Sequence, residues 1–192
     1  MVLLDLVARH GYEIPVYYLD TDLLFPQTHA LVARVRARYG IEPRAVKTQL
    51  TLPAQAARFG DRLWERDPDR CCALRKVEPQ RAFLAGQGAW ITGIRRDQSD
   101  RREAISFVDI DRAVPGVVKI SPLADWSEAD VWQYVTERDV PYNELHDRGF
   151  PSIGCEPCTR GVAPGGRARD GRWPGFAKTE CGLHAPAAEV NS

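Results

Sequence analysis

The chain has no excess of either charge: 26 lysines and arginines stand against 26 aspartates and glutamates, and the formal net charge is zero. General nucleic-acid binding by bulk charge is therefore not expected, because it draws on a basic surplus. A local anion site stays open, since balanced totals say nothing about clustering. There is no run of about 18 apolar residues, which removes a membrane span. The start, MVLLDLVARHGYE, is apolar but contains Asp5 and has no basic leader, so it does not read as a signal peptide. The expected location is the cytoplasm, where thiols stay reduced and disulfides are rare. There is no internal repeat, and low complexity is confined to residues 161–171. Cysteine is scarce, five in 192 residues, so where each one stands carries information.

What is present reads as one globular domain: 44% of the residues are apolar and 27% charged, an ordinary balance for a chain of this length. Helical spacing of apolar positions predicts helices over residues 2–9, 26–39 and 52–59, with Gly11 and Gly40 as stops and Pro53 in a first turn. Ser127 is a fitting N-cap for a helix over 128–138. Residues 71–84 read as helical but interrupted near Pro79. Short apolar runs predict strands at 14–19, 44–47, 89–94, 105–110 and 117–120. Strands alternating with helices argue for an α/β fold: a mainly parallel twisted sheet with flanking helices. From Pro141 onward Gly, Pro, Arg and Cys dominate and periodicity stops, the look of a functional irregular region.

Four of the five thiols come in two tight pairs, Cys71-Cys72 and Cys155-x-x-Cys158. Soft thiolates select zinc or iron–sulfur centres. Structural zinc sites space their cysteines by two to four residues, whereas adjacent cysteines can each reach a different iron of a cubane. The pairing thus favours a 4Fe–4S cluster over zinc. Gly154 and Pro157 favour a tight turn at the second pair. Cys181 stands alone, three residues before His184. It reads either as a nucleophile whose thiolate His184, Lys178, Arg169 and Arg172 would favour, or as a free thiol on a frayed tail. Glu180 would oppose that field if it lay close. Arg95 and Arg96 follow the strand over 89–94, where open parallel sheets bind ligands, and suit an oxyanion. Arg101 and Arg102 read as a solvated face. Asp20-Thr21-Asp22 reads as a contact to a ribose or base edge, or as a cap for the next helix.

The segments CCALRKVEPQ, WITGIRRDQSDRR, SPLADWSEADVWQYV, PSIGCEPCTR, RDGRW and TECGLH, in this order, resemble the assimilatory adenylyl-sulfate reductases. These are the thioredoxin-dependent, iron–sulfur branch of the phosphoadenylyl-sulfate reductase family. The likeness runs from Met1 to about His184, and having both cysteine pairs resembles the adenylyl-sulfate branch rather than the 3′-phosphoadenylyl-sulfate branch. It implies an adenine-nucleotide α-hydrolase-like fold. It implies a 4Fe–4S cluster on Cys71, Cys72, Cys155 and Cys158, with Cys181 as the nucleophile. Lys76, Arg95, Arg169, Arg172 and His184 match basic positions around the phosphosulfate. The implied activity is reduction of adenosine 5′-phosphosulfate to sulfite and AMP in sulfate assimilation, through an S-sulfocysteine. Thioredoxin or a glutaredoxin-like dithiol would be the reductant.

The family opens with a strand and a Ser/Gly-rich loop that cradles the nucleotide phosphate. This sequence begins at the helix that follows them. The resemblance therefore implies two neighbouring strands without a partner between them, and an upstream start is expected to supply both pieces. On this reading residues 1–140 form the nucleotide-binding α/β part without its first strand and phosphate loop. Residues 141–192 would add the cluster-binding loop and catalytic tail to the same domain. The tail is shorter and less aromatic between Trp173 and Lys178 than the family pattern. Homo-oligomerisation stays open. The rival readings are a 3′-phosphoadenylyl-sulfate reductase and a non-catalytic iron–sulfur or zinc fragment.

Overall fold

Helix α1 (Val2–Arg9) carries its apolar face against α6 (Glu128–Glu137), where Val2, Leu123, Val135 and Val140 form one buried cluster. The computed structural model describes residues 1–184. Asp5 sits on the buried face of α1 at 3% exposure, and the burial is tolerated because two hydroxyls serve it. Tyr39 Oη donates at 2.9 Å from the end of α2 (Pro26–Tyr39), and Tyr134 Oη donates at 2.7 Å from α6. One carboxylate thus ties three helices together.

Local chemistry sets the helix ends where the sequence places them. Pro26 opens α2 and Gly40 closes it at φ 63°, a left-handed position that favours glycine. Thr51 Oγ1 accepts from Ala54 N at 3.3 Å to start α3 (Leu52–Phe59). Ser127 and Asp130 form a capping box on α6. The expected break near Pro79 is not there. Instead α4 (Pro68–Cys72) runs through a π-turn over Ala73–Val77 into α5 (Glu78–Leu84), and Pro79 lies in the first turn of α5. Inside this continuous run a proline has no N–H to give and its ring crowds the preceding turn, and the wider π-turn just before it relieves both.

Among the described residues there are two sheets rather than one. Strand β1 (Tyr17–Leu19) pairs in parallel with β2 (Arg44–Val46). Strand β3 (Ala89–Ile91) pairs in parallel with β5 (Val118–Ile120), and β4 (Val108–Ile110) pairs antiparallel on the far side of β5. Helices flank the parallel pairs, so the α/β class holds, with one antiparallel edge. Each strand is three residues, shorter than the apolar runs at 14–19 and 89–94. Apolar content marks a buried segment, but only a neighbour on the ladder makes it a strand. Residues of β1 and β3 both line an apolar cavity of about 1050 Å³. Arg95, Arg169, Arg172 and Gly154 also line that cavity. Among the described residues no helix is long and apolar enough to cross a membrane.

Candidate active site around a buried cysteine set

Cys71 and Cys72 end α4, which Asp67 caps by accepting from Arg70 N at 2.9 Å. Three residues on, in the π-turn, Arg75 is 1% exposed. Its guanidinium donates to Gln55 Oε1 (2.8 Å), Thr21 O (2.9 Å), Asp22 Oδ2 (3.0 Å) and Leu50 O (3.2 Å). Arg75 thereby fixes the loop after β1 against the cysteine-bearing helix. Burial opposes the charge on Asp22, but hydrogen bonds from Lys47 and Arg75 hold its carboxyl below the usual range. The Asp20-Thr21-Asp22 stretch therefore serves the cysteines and not the next helix, whose N-cap is Phe25. Thr21 Oγ1 lies 3.2 Å from Cys155 Sγ.

The second pair sits on a short hairpin. Cys155 bridges Leu24, Glu156–Cys158 forms a single 3-10 turn, and Thr159 bridges Arg172. Glu156 N donates to Leu23 O (2.8 Å), Trp173 N to Cys158 O (2.9 Å) and Thr159 Oγ1 to Cys155 O (2.7 Å). The tight turn expected from Gly154 and Pro157 is present. A Cβ on Gly154 would lie 2.1 Å from Arg172 Nη2, so the glycine leaves room for that guanidinium.

These segments bring the four cysteines together. Cys72, Cys155 and Cys158 pack with Trp173 in one buried cluster, and Cys71 is close enough for its charge to couple with all three. Burial, then mutual repulsion, pushes the Cys71 thiol up to about 12 and Cys158 up to about 11. Burial also raises Cys72, against the pull of Lys76. Trp64 and Trp173 pack against the same cluster, and the indole N–H of each is buried without an acceptor. Four soft donors ringed by spare N–H groups fit a metal centre that brings acceptor atoms of its own. Among the described residues no group of three or more His, Cys, Asp or Glu side chains is set to hold a metal ion.

The segment over residues 174–184 lacks regular structure, yet it is docked over this cluster. Cys181, half-buried, packs against it. Lys178 pairs with Asp69, and Arg169 donates to Thr179 O at 3.0 and 2.7 Å. Gly182 takes φ +86°, with Val77 beneath it. His184 stacks on Trp90, centroids 5.6 Å apart and planes 3° from parallel.

The basic residues divide by environment. Lys76 is buried; burial opposes its charge, but Cys155, Cys72 and Cys181 hold it protonated. Lys76 and Arg169 both lie within electrostatic reach of Cys181. Arg172 stacks over Trp173 at 4.5 Å and donates to Ser152 Oγ at 3.3 Å. Arg95 lines the cavity but is engaged by Asp97 at 2.9 Å. His184 differs from its expected part in a cationic field. Burial, then Lys119, Arg102 and Arg169, lowers its pKa to about 3, so the imidazole is neutral. Sequence reasoning passed over Arg102, placed with the solvated arginines, which is 9% exposed and bound to Glu180. Its signal would have been Glu180 itself, a carboxylate that must find a cation if the tail folds back.

Several known proteins resemble this chain in sequence and fold. The family model described as "Phosphoadenosine phosphosulfate reductase domain" matches residues 1–161. The chain is 49% identical to the "Adenosine 5'-phosphosulfate reductase" of Halalkalibacterium halodurans, covering 96% of this chain and 80% of that protein. It is 48% identical to a "Phosphoadenosine 5'-phosphosulfate reductase" of Gloeobacter violaceus, covering 96% of this chain and 78% of that one. The crystal structure of phosphoadenylyl-sulfate reductase from Candida auris, a phosphate complex, superposes with a TM-score of 0.70 at 36% identity. It covers 83% of this chain and 77% of that one. With sequence, fold and family model in agreement over most of its length, the chain belongs to the phosphoadenosine phosphosulfate reductase family.

Proposed function

We propose that the chain reduces adenosine 5′-phosphosulfate to sulfite and AMP in sulfate assimilation, carrying the sulfo group on Cys181. The substrate and reaction rest on the relatives bearing that name at 44–49% identity. The observation that carries the residue assignment is the half-buried Cys181, docked against the buried cysteine set within electrostatic reach of Lys76 and Arg169.

The Cys181 thiolate attacks the sulfate sulfur, and the S–O bond to the phosphate breaks. AMP leaves with the bonding pair, and Cys181 becomes S-sulfocysteine. A thiolate of thioredoxin, or of a glutaredoxin-like dithiol, then attacks Cys181 Sγ, and sulfite leaves with the S–S bonding pair. The reductant's second thiol opens the mixed disulfide and returns Cys181; the two electrons come from the dithiol. Two anions meet in the first step, so the cations do the main work. Lys76 and Arg169 lie within electrostatic reach of the thiolate, while Arg169 and Arg172 stand at the cavity and neutralise charge on the nucleotide; Arg95 also lines the cavity but would first have to release Asp97. His184, neutral and stacked, acts as a hydrogen-bonding or shape contact. Cys71, Cys72, Cys155 and Cys158 would hold a 4Fe–4S cluster, which when bound supplies fixed charge beside the sulfate and not electrons. The thiol chemistry suits the reducing cytoplasm.

The test is trapping. Substrate labelled in its sulfo group should leave the label on the Cys181 peptide. Cys181→Ser should abolish that adduct and keep the iron content of the wild type; a labelled Cys181→Ser protein would overturn the assignment. The name of the Gloeobacter violaceus relative supports a second reading, reduction of 3′-phosphoadenylyl sulfate. Competition kinetics with the two nucleotides separates the readings. A colourless protein with zinc and no adduct would support the non-catalytic rival.

A further inference from the structure

Immediately before the thiol, the Glu180 carboxylate is clamped by two arginines and a serine. Arg102 Nε donates to Oε1 at 2.8 Å and Nη2 to Oε2 at 2.7 Å, a bidentate pair. Ser99 Oγ donates to Oε1 at 3.2 Å, and Arg169 Nη2 to Oε2 at 3.2 Å. Gln98 Oε1 accepts from Arg102 Nη1 and aims the fork. The Arg102 and Glu180 side chains are only 11% and 17% exposed, so water screens the pair little. Arg102 lies in a turn between β3 and β4, 78 residues from Glu180 in sequence.

We infer that Arg102 is a positioning residue for Cys181, acting through Glu180. The proposal rests on the assignment of Cys181 as nucleophile. The segment that bears Cys181 has no helix or strand to hold it, so its register over the cysteine set depends on side-chain anchors. A bidentate guanidinium–carboxylate pair is the most directional of these, and it stands one residue from the reacting sulfur. Charge counting adds a second consequence. Two guanidiniums share one carboxylate, leaving a surplus positive charge. Because Arg102 satisfies Glu180, Arg169 keeps charge available for an incoming phosphosulfate. Without Arg102, Glu180 would draw Arg169 fully and would stand beside the thiolate as a competing anion.

The first test needs no substrate. The Lys178 side chain is 8% exposed in the docked tail, so tryptic cleavage after Lys178 reports release. In the full chain, Arg102→Gln and Glu180→Gln should each speed that cleavage about tenfold or more, the scale of losing charge-assisted hydrogen bonds. The double variant should be no faster than either single one. Arg102→Lys should recover part of the protection, since it restores charge without the fork. Because Glu180 lies on the tail, Glu180→Gln tests the clamp without endangering the core. Unchanged cleavage in both single variants, or additive effects in the double one, would overturn the proposal.

The second test uses adenosine 5′-phosphosulfate. At saturating nucleotide, Arg102→Gln should slow adduct formation by about a hundredfold, as expected when a nucleophile is misplaced. KM should rise as well, through Arg169. An unchanged rate of adduct formation would overturn the proposal even if cleavage changed. A wild-type chain that forms no adduct would refute the proposed function, and the cleavage cycle would then decide the clamp by itself.

Discussion

Arg75 is a full cation with almost no access to water, and its charge is tolerated because four acceptors face it. Arg75→Ala would leave Thr21 O, Leu50 O and Gln55 Oε1 unserved and Asp22 with Lys47 alone. It should cost about 2–4 kcal/mol, read as a lower midpoint in urea. His184 makes the opposite bargain by staying neutral. Its folded pKa, about 3, lies below its ordinary value of 6.5. Between those values the released state binds the extra proton, so docking is at full strength above pH 6.5 and weakens as pH falls. The loss approaches about 1.4 kcal/mol per pH unit inside that window. A fluorescence titration of Trp90, on which the imidazole stacks, should show tail release in that window. Equal titrations for wild type and His184→Gln would contradict this. A lone sequence can show that His184 and Arg102 are basic residues, but not what charge surrounds them.

Among the elements, the cysteine hairpin sets the strictest spatial demand. A Cβ on Gly171 would lie 2.1 Å from Arg160 O, a backbone atom that cannot swing away. A Cβ on Gly154 meets only the end of the Arg172 side chain. Gly171→Ala should therefore destabilise the protein by about 1–3 kcal/mol and lower its iron content. Gly154→Ala should keep the hairpin and displace Arg172, raising KM for the nucleotide more than it changes the melting temperature. Iron analysis, melting curves and kinetics on the two variants decide between these patterns. Helix ends were legible because the signals are local: Ser127, Pro53 and Gly40 act on residues within a turn. The π-turn over Ala73–Val77 was not legible, since it forms to bury Arg75 and Lys76 among partners from distant segments.

For the whole molecule, the division into two sheets has a dynamic consequence. Among the described residues β1 and β3 each pair on one side only, and residues of both line the large cavity. Amides of Tyr17–Leu19 and Ala89–Ile91 should exchange with solvent faster than those of α6, which is capped and packed on α1. Hydrogen exchange with mass spectrometry measures this; equal protection would mean that the edges are paired in solution. The relative from Halalkalibacterium halodurans is longer than the matched stretch, with 80% of it covered.

The sequence alone determined the class of fold, the places where most helices begin and end, the four paired thiols and the lone Cys181. Each of these is written in residue type and short spacing, and local sterics, capping and metal preference act over a few residues. Only the tertiary structure decided which cations reach the thiol, that Arg95 is occupied by Asp97 while Arg102 holds the tail, and that His184 is uncharged. Charge, burial and hydrogen-bond partners are properties of a shared volume, and residues that share it here, such as Thr21 and Cys155, lie 134 positions apart along the chain.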